Sequence, residues 1–273
     1  GMLLIPGFID THIHGIGGAG TEDSSPEAIL SMSRTLASIG TTSFFPTVYT
    51  DTAERMIADI RAIASAKGHE EGADIAGIHV EGPFISPHRI GAQNPAGRKD
   101  PDPAFFRRMI EEGKGLIKAM TCAPELPGIE EIAAIARENG IILLMGHTDA
   151  SYEEARYGFS LGIRHTTHIF NAMSGFSHRK PGAAGFALAN DMMSVEVIAD
   201  GCHVHRDIAR FVFRHKGPMK AIAMTDSLRP TLQKEGDLTA NGIPVEMGPG
   251  LWATKGNPDL YQGSLLTMHK AFR

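Results

Sequence analysis

The chain's 273 residues are 42% hydrophobic and 21% charged, the balance of a soluble globular protein, at a length that suits one undivided α/β barrel as well as two domains. A net charge of −5 with no basic block speaks against a nucleic-acid partner, and no run reaches the roughly 18 apolar residues of a membrane helix. Two cysteines, Cys122 and Cys202, make no CxxC and too few bridges for a secreted scaffold, so a cytoplasmic location is expected; no signal peptide is visible, and Gly1-Met2 reads as the remnant of a cleaved tag.

Short apolar runs alternate with longer amphipathic ones, without low-complexity segments or an internal repeat. The first run, "LLIPGFIDTHIH", leads to a helix opening at Ser25-Pro26, a cap followed by proline in the first turn. "TTSFFPTVYT" reads as a second strand and 51–67 as a helix capped by Asp51. "DIAGIHVEGP" is the third strand, followed by a glycine- and proline-rich loop over 84–101 and a helix from about 103 to 112. "LIKAMTCAPE" precedes a helix over 128–139 ended by Asn139-Gly140, and "IILLMGHT" precedes a helix over 151–161. "IRHTTHIFN" and "SVEVIADG" are the sixth and seventh strands, with a helix near 205–215, and "MKAIAMTD" is the eighth. Eight strands alternating with helices predict parallel β/α units closing into a (β/α)8 TIM-like barrel; an open doubly wound sheet is the alternative. Residues 229–257 carry proline, glycine and short alternating stretches that predict a hairpin-like insertion, and "GSLLTMHKAFR" starts a helix that stops at Arg273. The pattern suggests one barrel domain over 1–273 with both termini cut.

Barrel chemistry collects where strands end and βα loops begin. His12 and His14 end the first strand; two apart, they share a face while Ile13 packs outward. Glu81 ends the third strand, His147 the fifth, His168 the sixth and Asp226 the eighth, while His203 follows the seventh. Each has an ordinary alternative: a histidine bonded to backbone, a turn glutamate before Gly-Pro, a capping aspartate. Those alternatives make no demand on which end of the strand is used, so their coincidence at one rim favours a metal site. Imidazoles with carboxylates suit zinc first, with iron, manganese or cobalt as alternatives, and disfavour magnesium and calcium. Two adjacent cations need an anion between them. Lys118, the one lysine of the fourth strand, lies near its opposite end, so Glu81 is the available bridge. His79 faces the same way as Glu81 one layer deeper and reads as a core or supporting residue. His88, His178, His205 and His269 default to the surface, and Cys202 lacks the surroundings of a nucleophile.

The ordered motifs "PGFIDTHIHG", "GTTSFFPT", "GIHVEGPFISP", "GAQNP", "TCAPE", "GHTDAS", "THIFNAMSGFSHRKPG", "IADGCHVH", "MTDS" and "GSLLTM" resemble the amidohydrolase superfamily and, more narrowly, the N-acetylglucosamine-6-phosphate deacetylases. The resemblance runs through nearly the whole chain, and "HVEGPF" with "THIFNAM" carries its narrower form. It implies Glu81, His147 and His168 as ligands of the better-held metal and His12 and His14, with Glu81, as ligands of a second, so one or two divalent ions. It implies Asp226 as the proton-transferring group. Ala92, Gln93, Asn171, Ala172, Arg179, His203 and the turn Tyr261-Gln262-Gly263 match substrate-contacting positions, with Arg179 reaching the phosphate, in some arrangements across a homodimer. The implied reaction is hydrolysis of the N-acetyl group of N-acetylglucosamine 6-phosphate in amino-sugar catabolism. The rivals are the galactosamine epimer, a cyclic-amide hydrolase of the same superfamily, and an inactive metal-binding fragment. Two departures stand out: Gln93 replaces a histidine that some members carry, and Tyr261-Gln262 replaces a smaller apolar pair. The family's small flanking β-sandwich is largely missing, which predicts exposed apolar barrel surface.

Overall fold

The computed structural model describes residues 4–233 and 238–273. The predicted first strand's opening Leu3, the Gly1-Met2 pair and residues 234–237 of the expected insertion lie outside them. Eight parallel strands follow one another around a ring in chain order: β1 Phe8–Ile13, β2 Thr41–Val48, β3 Ile78–Glu81, β4 Ile117–Cys122, β5 Ile142–Met145, β6 His165–Thr166, β7 Ser194–Ile198 and β8 Ala221–Met224. The ring closes at its ends. Ile13 bridges Ser227 in parallel, the Asp226 amide donates to the His12 carbonyl at 2.9 Å, and the Thr225 hydroxyl donates to Asp10 at 2.6 Å. Closure settles the architecture as a (β/α)8 barrel and removes the open-sheet alternative. The glycine run "GIGGAG" after β1 folds into a tight antiparallel turn pairing Gly15–Ile16 with Ala19–Gly20.

The helices are α1 Pro26–Ser38, α2 Ala53–Ala66, α3 Pro103–Glu112, α4 Ile129–Glu138, α5 Tyr152–Leu161, α6 Gly182–Ala189, α7 Arg206–Lys216 and α8 Met268–Ala271. Their starts follow from local chemistry: Ser25 accepts the Ala28 amide ahead of Pro26, Asp102 caps α3, and Ser151 with Glu154 forms a capping box on α5. The main core lies between ring and helices, where outward side chains such as Phe44 and Val80 meet Met32, Ile60 and Phe106. The inside of the ring is polar by contrast: Asp10, His12, His79, Thr121 and Glu196 are all buried there.

Several expectations are corrected. Thr52, not Asp51, caps α2, its side chain accepting the Arg55 amide; Asp51 instead accepts the Asn94 side-chain amide at 2.9 Å. The third predicted strand splits: Asp74–Ile75 pairs with β2 on its own before β3 begins. The sixth is only two residues long. α6 has no counterpart among the expected elements, because "GAAGFALA" is buried on nearly every side and has no polar face to give it a period. Past β8, four antiparallel strands, β9 Thr239–Ala240, β10 Ile243–Met247, β11 Leu251–Thr254 and β12 Asn257–Ser264, run beyond residue 257. The expected helix at "GSLLTM" therefore begins only at Met268.

Candidate metal centre

Glu81 is the last residue of β3, and His147, His168 and Asp226 each lie two residues past the ends of β5, β6 and β8. All of these last three have left-handed backbones, with φ of 47°, 28° and 49°, uncommon for side chains other than glycine. Such strain persists where the surroundings over-determine it. Here the His147 carbonyl accepts the Ser86 amide at 2.8 Å, while Asp226 is pinned through both its amide and its carbonyl, the latter accepting from Ser264 at 2.9 Å. The kink turns each side chain from the strand into the mouth of the ring.

Glu81 stands in the middle. Its Oε1 lies 3.1 Å from His147 Nε2 and 2.9 Å from His168 Nε2. Its Oε2 lies 3.0 Å from His14 Nε2 and 3.5 Å from His12 Nε2. The chain thus offers two triads that share Glu81, each with ligand atoms within 4.8 Å of one another: His12, His14 and Glu81, and Glu81, His147 and His168. Asp226 Oδ1 stands 3.6 Å from His12 Nε2 and 3.5 Å from His14 Nε2. Burial would raise Glu81, but the surrounding imidazoles, His12 foremost, hold its carboxyl well below the usual range. Burial would push His12 down, and Glu81, Glu196 and Asp226 outweigh it, carrying His12 well above the ordinary histidine value.

The donor set fits a divalent cation. The Nδ1 of His14 lies 3.0 Å from the Thr47 carbonyl and that of His147 lies 3.0 Å from the Arg89 carbonyl. A carbonyl only accepts, so both rings carry their proton on Nδ1 and turn the Nε2 lone pair toward Glu81. Lone pairs facing a carboxylate at about hydrogen-bond distance need an added proton or a metal between them. Four imidazole nitrogens and carboxylate oxygens suit zinc and its first-row neighbours.

The supporting residues extend the picture. Gln93 donates its amide to Glu81 Oε2 at 2.6 Å and accepts the Thr50 amide at 2.8 Å, so both ends of its side chain are engaged. His79 bonds Thr121 at 2.8 Å, and burial, with His12 beside it, pushes His79 down to about 3; it is a neutral interior residue. The cleft above the triads, about 690 Å³ including its mouth, is lined by Ala92 and Gln93, Asn171 and Ala172, and His203, with Tyr261 and Gln262 on the far wall. Gly263 lies behind that wall, where a Cβ would come within 2.8 Å of the Asp226 carbonyl. Arg179 is not brought in: it is exposed on the loop before α6 and lines a separate cleft with Arg89 and Asp149. His88, His178, His205 and His269 are exposed.

Four residues escaped the sequence reading. Glu196 lies buried beside His12, and Asp200 holds His203 Nδ1 at 2.6 Å. Tyr49 stacks on His14 at 3.7 Å, and Asp259 lines the cleft. The only sequence signal among them is Glu196, a charge inside the apolar run "SVEVI".

The Amidohydrolase family model matches residues 3–242. The chain is 40% identical over 275 residues to N-acetylglucosamine-6-phosphate deacetylase of Bacillus subtilis (strain 168), covering 99% of this chain and 69% of that protein. It is 32% identical to N-acetylgalactosamine-6-phosphate deacetylase of Shewanella sp. (strain ANA-3), over 99% of this chain and 68% of that one. The crystal structure of N-acetyl-D-glucosamine-6-phosphate deacetylase from Mycobacterium smegmatis matches with a TM-score of 0.92 at 30% identity, over 98% of this chain and 70% of that chain. The barrel, the rim of histidines around one buried glutamate and these likenesses agree: the chain belongs to the amidohydrolase family.

Proposed function

We propose that this chain is a metal-dependent deacetylase that hydrolyses the N-acetyl amide of N-acetylglucosamine 6-phosphate to glucosamine 6-phosphate and acetate. The observation that carries the reading is Glu81 set between two histidine pairs with Asp226 beside them. An amide is a poor electrophile and water a poor nucleophile at neutral pH; a divalent cation, zinc in this reading, supplies an acidified water and a polarised carbonyl when bound. Asp226, held at the rim by its backbone, takes the proton of the attacking water and returns it to the leaving nitrogen, which cannot depart as an anion. His203, its Nδ1–H donating to Asp200, turns Nε2 to the cleft as an acceptor for a sugar hydroxyl. Asn171, Ala172, Ala92, Tyr261 and Gln262 border the sugar, and Gly263 lets the wall approach Asp226. Gln93 acts on Glu81 rather than on the substrate.

Arg179 stands outside the cleft of its own chain, so in this reading it meets the phosphate of a second subunit in a homodimer, as a fork-like charged contact. The two free cysteines favour the reducing cytoplasm. The test is amine release from N-acetylglucosamine 6-phosphate by the zinc-loaded chain, beside the galactosamine epimer. Turnover of the gluco substrate with the higher kcat/KM is expected. Loss of the preference would move the reading to the epimer, and no turnover of either substrate by a metal-loaded chain would overturn it.

A further inference from the structure

Of the four rim histidines, His14 and His147 have Nδ1 fixed by backbone carbonyls. His12 and His168 are different: among the described residues each buries an Nδ1 without a hydrogen-bond partner. The Nδ1 of His12 faces a carboxylate, Oε2 of Glu196 at 3.8 Å, an atom that is itself buried and unpartnered. The separation is too long for a hydrogen bond and shorter than the roughly 4.5 Å between two atoms that one water bridges at a near-tetrahedral angle. The pair can be satisfied only by closing on each other, through a shift of under about 1 Å.

Glu196 is placed for this. It lies on β7 between Val195 and Val197, and the two valines are fully buried in the outer core, so alternation turns Glu196 into the ring. Its Oε1 accepts the Thr11 hydroxyl at 2.6 Å and lies 3.6 Å from His165 Nε2. One oxygen is thus anchored to β1 by the Thr11 hydroxyl, with His165 of β6 nearby, and the other is free to receive His12. A buried carboxylate with an open lone pair is costly, and nothing in the proposed chemistry uses it directly.

We propose that Glu196 is a positioning residue for metal binding at the His12–His14 half of the centre, acting through the Nδ1 proton of His12. This rests on the reading that each of the two triads sharing Glu81 would hold a metal ion. Accepting a hydrogen bond from that N–H fixes the His12 tautomer with the Nε2 lone pair free for the metal and makes the ring a stronger ligand. Among the described residues the Glu196 side chain makes no hydrogen bond or ion pair with His147 or His168. Its backbone carbonyl accepts the Ile169 amide at 2.9 Å beside His168, a bond that a side-chain substitution leaves in place, so the effect of its carboxylate falls on one half of the centre.

The test is a zinc titration of the full chain against a competing chromogenic chelator, giving the affinities of the first and second equivalents. In E196Q the weaker step is expected to lose about 10- to 100-fold in affinity while the tighter step is unchanged. In an H12A background the same substitution is expected to do nothing further. T11V keeps the carboxylate but removes the bond that holds it, and is expected to weaken the same step by a smaller factor; it decides the matter if E196Q fails to fold. Equal weakening of both steps, or no change in either variant, would overturn the proposal alone. A parent chain that takes up one equivalent at every zinc concentration would instead overturn the two-metal reading beneath it.

Discussion

Asp226 combines a left-handed backbone, a position at the mouth of the ring and an oxygen 3.5 Å from His14 Nε2. If it carries the proton, Asp226→Asn keeps the shape and the hydrogen-bond acceptor but loses the titrating oxygen. Turnover should fall about 10²- to 10⁴-fold, while metal content, measured by elemental analysis, stays at the parent level because the two triads do not include Asp226. A kcat within tenfold of the parent would place the proton elsewhere. At this scale the sequence is legible where a polar residue interrupts an apolar run at a strand's end: His12, His14, Glu81, His147, His168 and Asp226 stand out for that reason, and the ring gathers them. It is less legible where the meaning lies in a partner. Gln93 is a plain amide until Glu81 and Thr50 are seen on either side of it. Asp200 is one of many loop aspartates until His203 is found on it. Arg179 sits in a motif next to cleft residues, yet its side chain lies outside the cleft, because charge in a loop does not fix direction.

Helices are legible in the sequence where a cap and an amphipathic period coincide, as at Ser25-Pro26, Asp102-Pro103 and Ser151. α6 does not register because it lacks a polar face, and the sixth strand registers as "IRHTTHIFN" but pairs over two residues only, a length that alternation does not set. Buried polar residues inside a helix are likewise hidden from the period. Asp59 of α2 is 3% exposed, and burial pushes its carboxyl from 3.8 up to about 7, against the Ser24 hydroxyl and Arg55. The folded state therefore binds this proton more tightly than the unfolded chain. The stability it contributes is full below about pH 4 and is lost as pH rises to about 7. Asp59→Asn still accepts from Ser24 and does not titrate. Relative to the parent it should be near neutral at pH 4.5 and more stable at pH 8, by roughly 2–4 kcal/mol. Thermal melts of both proteins at the two pH values check this. Glu22, pushed up to about 7 mainly by burial, is common to both proteins and cancels in the comparison. An Asn variant whose advantage does not grow with pH would show that Asp59 is solvated.

For the molecule as a whole, the centre is also a fastening. Its ligands come from β1, β3, β5 and β6, and beside it β1 meets β8 through the Ile13–Ser227 bridge and the Asp226–His12 hydrogen bond. A cation there ties separate strands of the ring together and answers the lone pairs that face Glu81. Binding the folded state alone, a metal at a thousand times its dissociation constant adds about 4 kcal/mol. At roughly 2–4 °C per kcal/mol for chains approaching this size, stripping with a chelator should lower Tm by about 10 °C, and zinc should restore it. Protons compete for the same nitrogens: His147 is pushed above the ordinary histidine value by Glu81 over the opposing effect of burial, and His12 more so. The zinc-dependent gain should therefore shrink as pH falls from 8 toward 5, because each ligand must lose its proton to bind. Calorimetry with and without zinc across that range tests both parts, and Glu81→Gln, which removes the shared anion, should abolish most of the gain at every pH. A gain that persists unchanged at pH 5, or survives in Glu81→Gln, would mean that zinc stabilises the barrel from some other place than the rim.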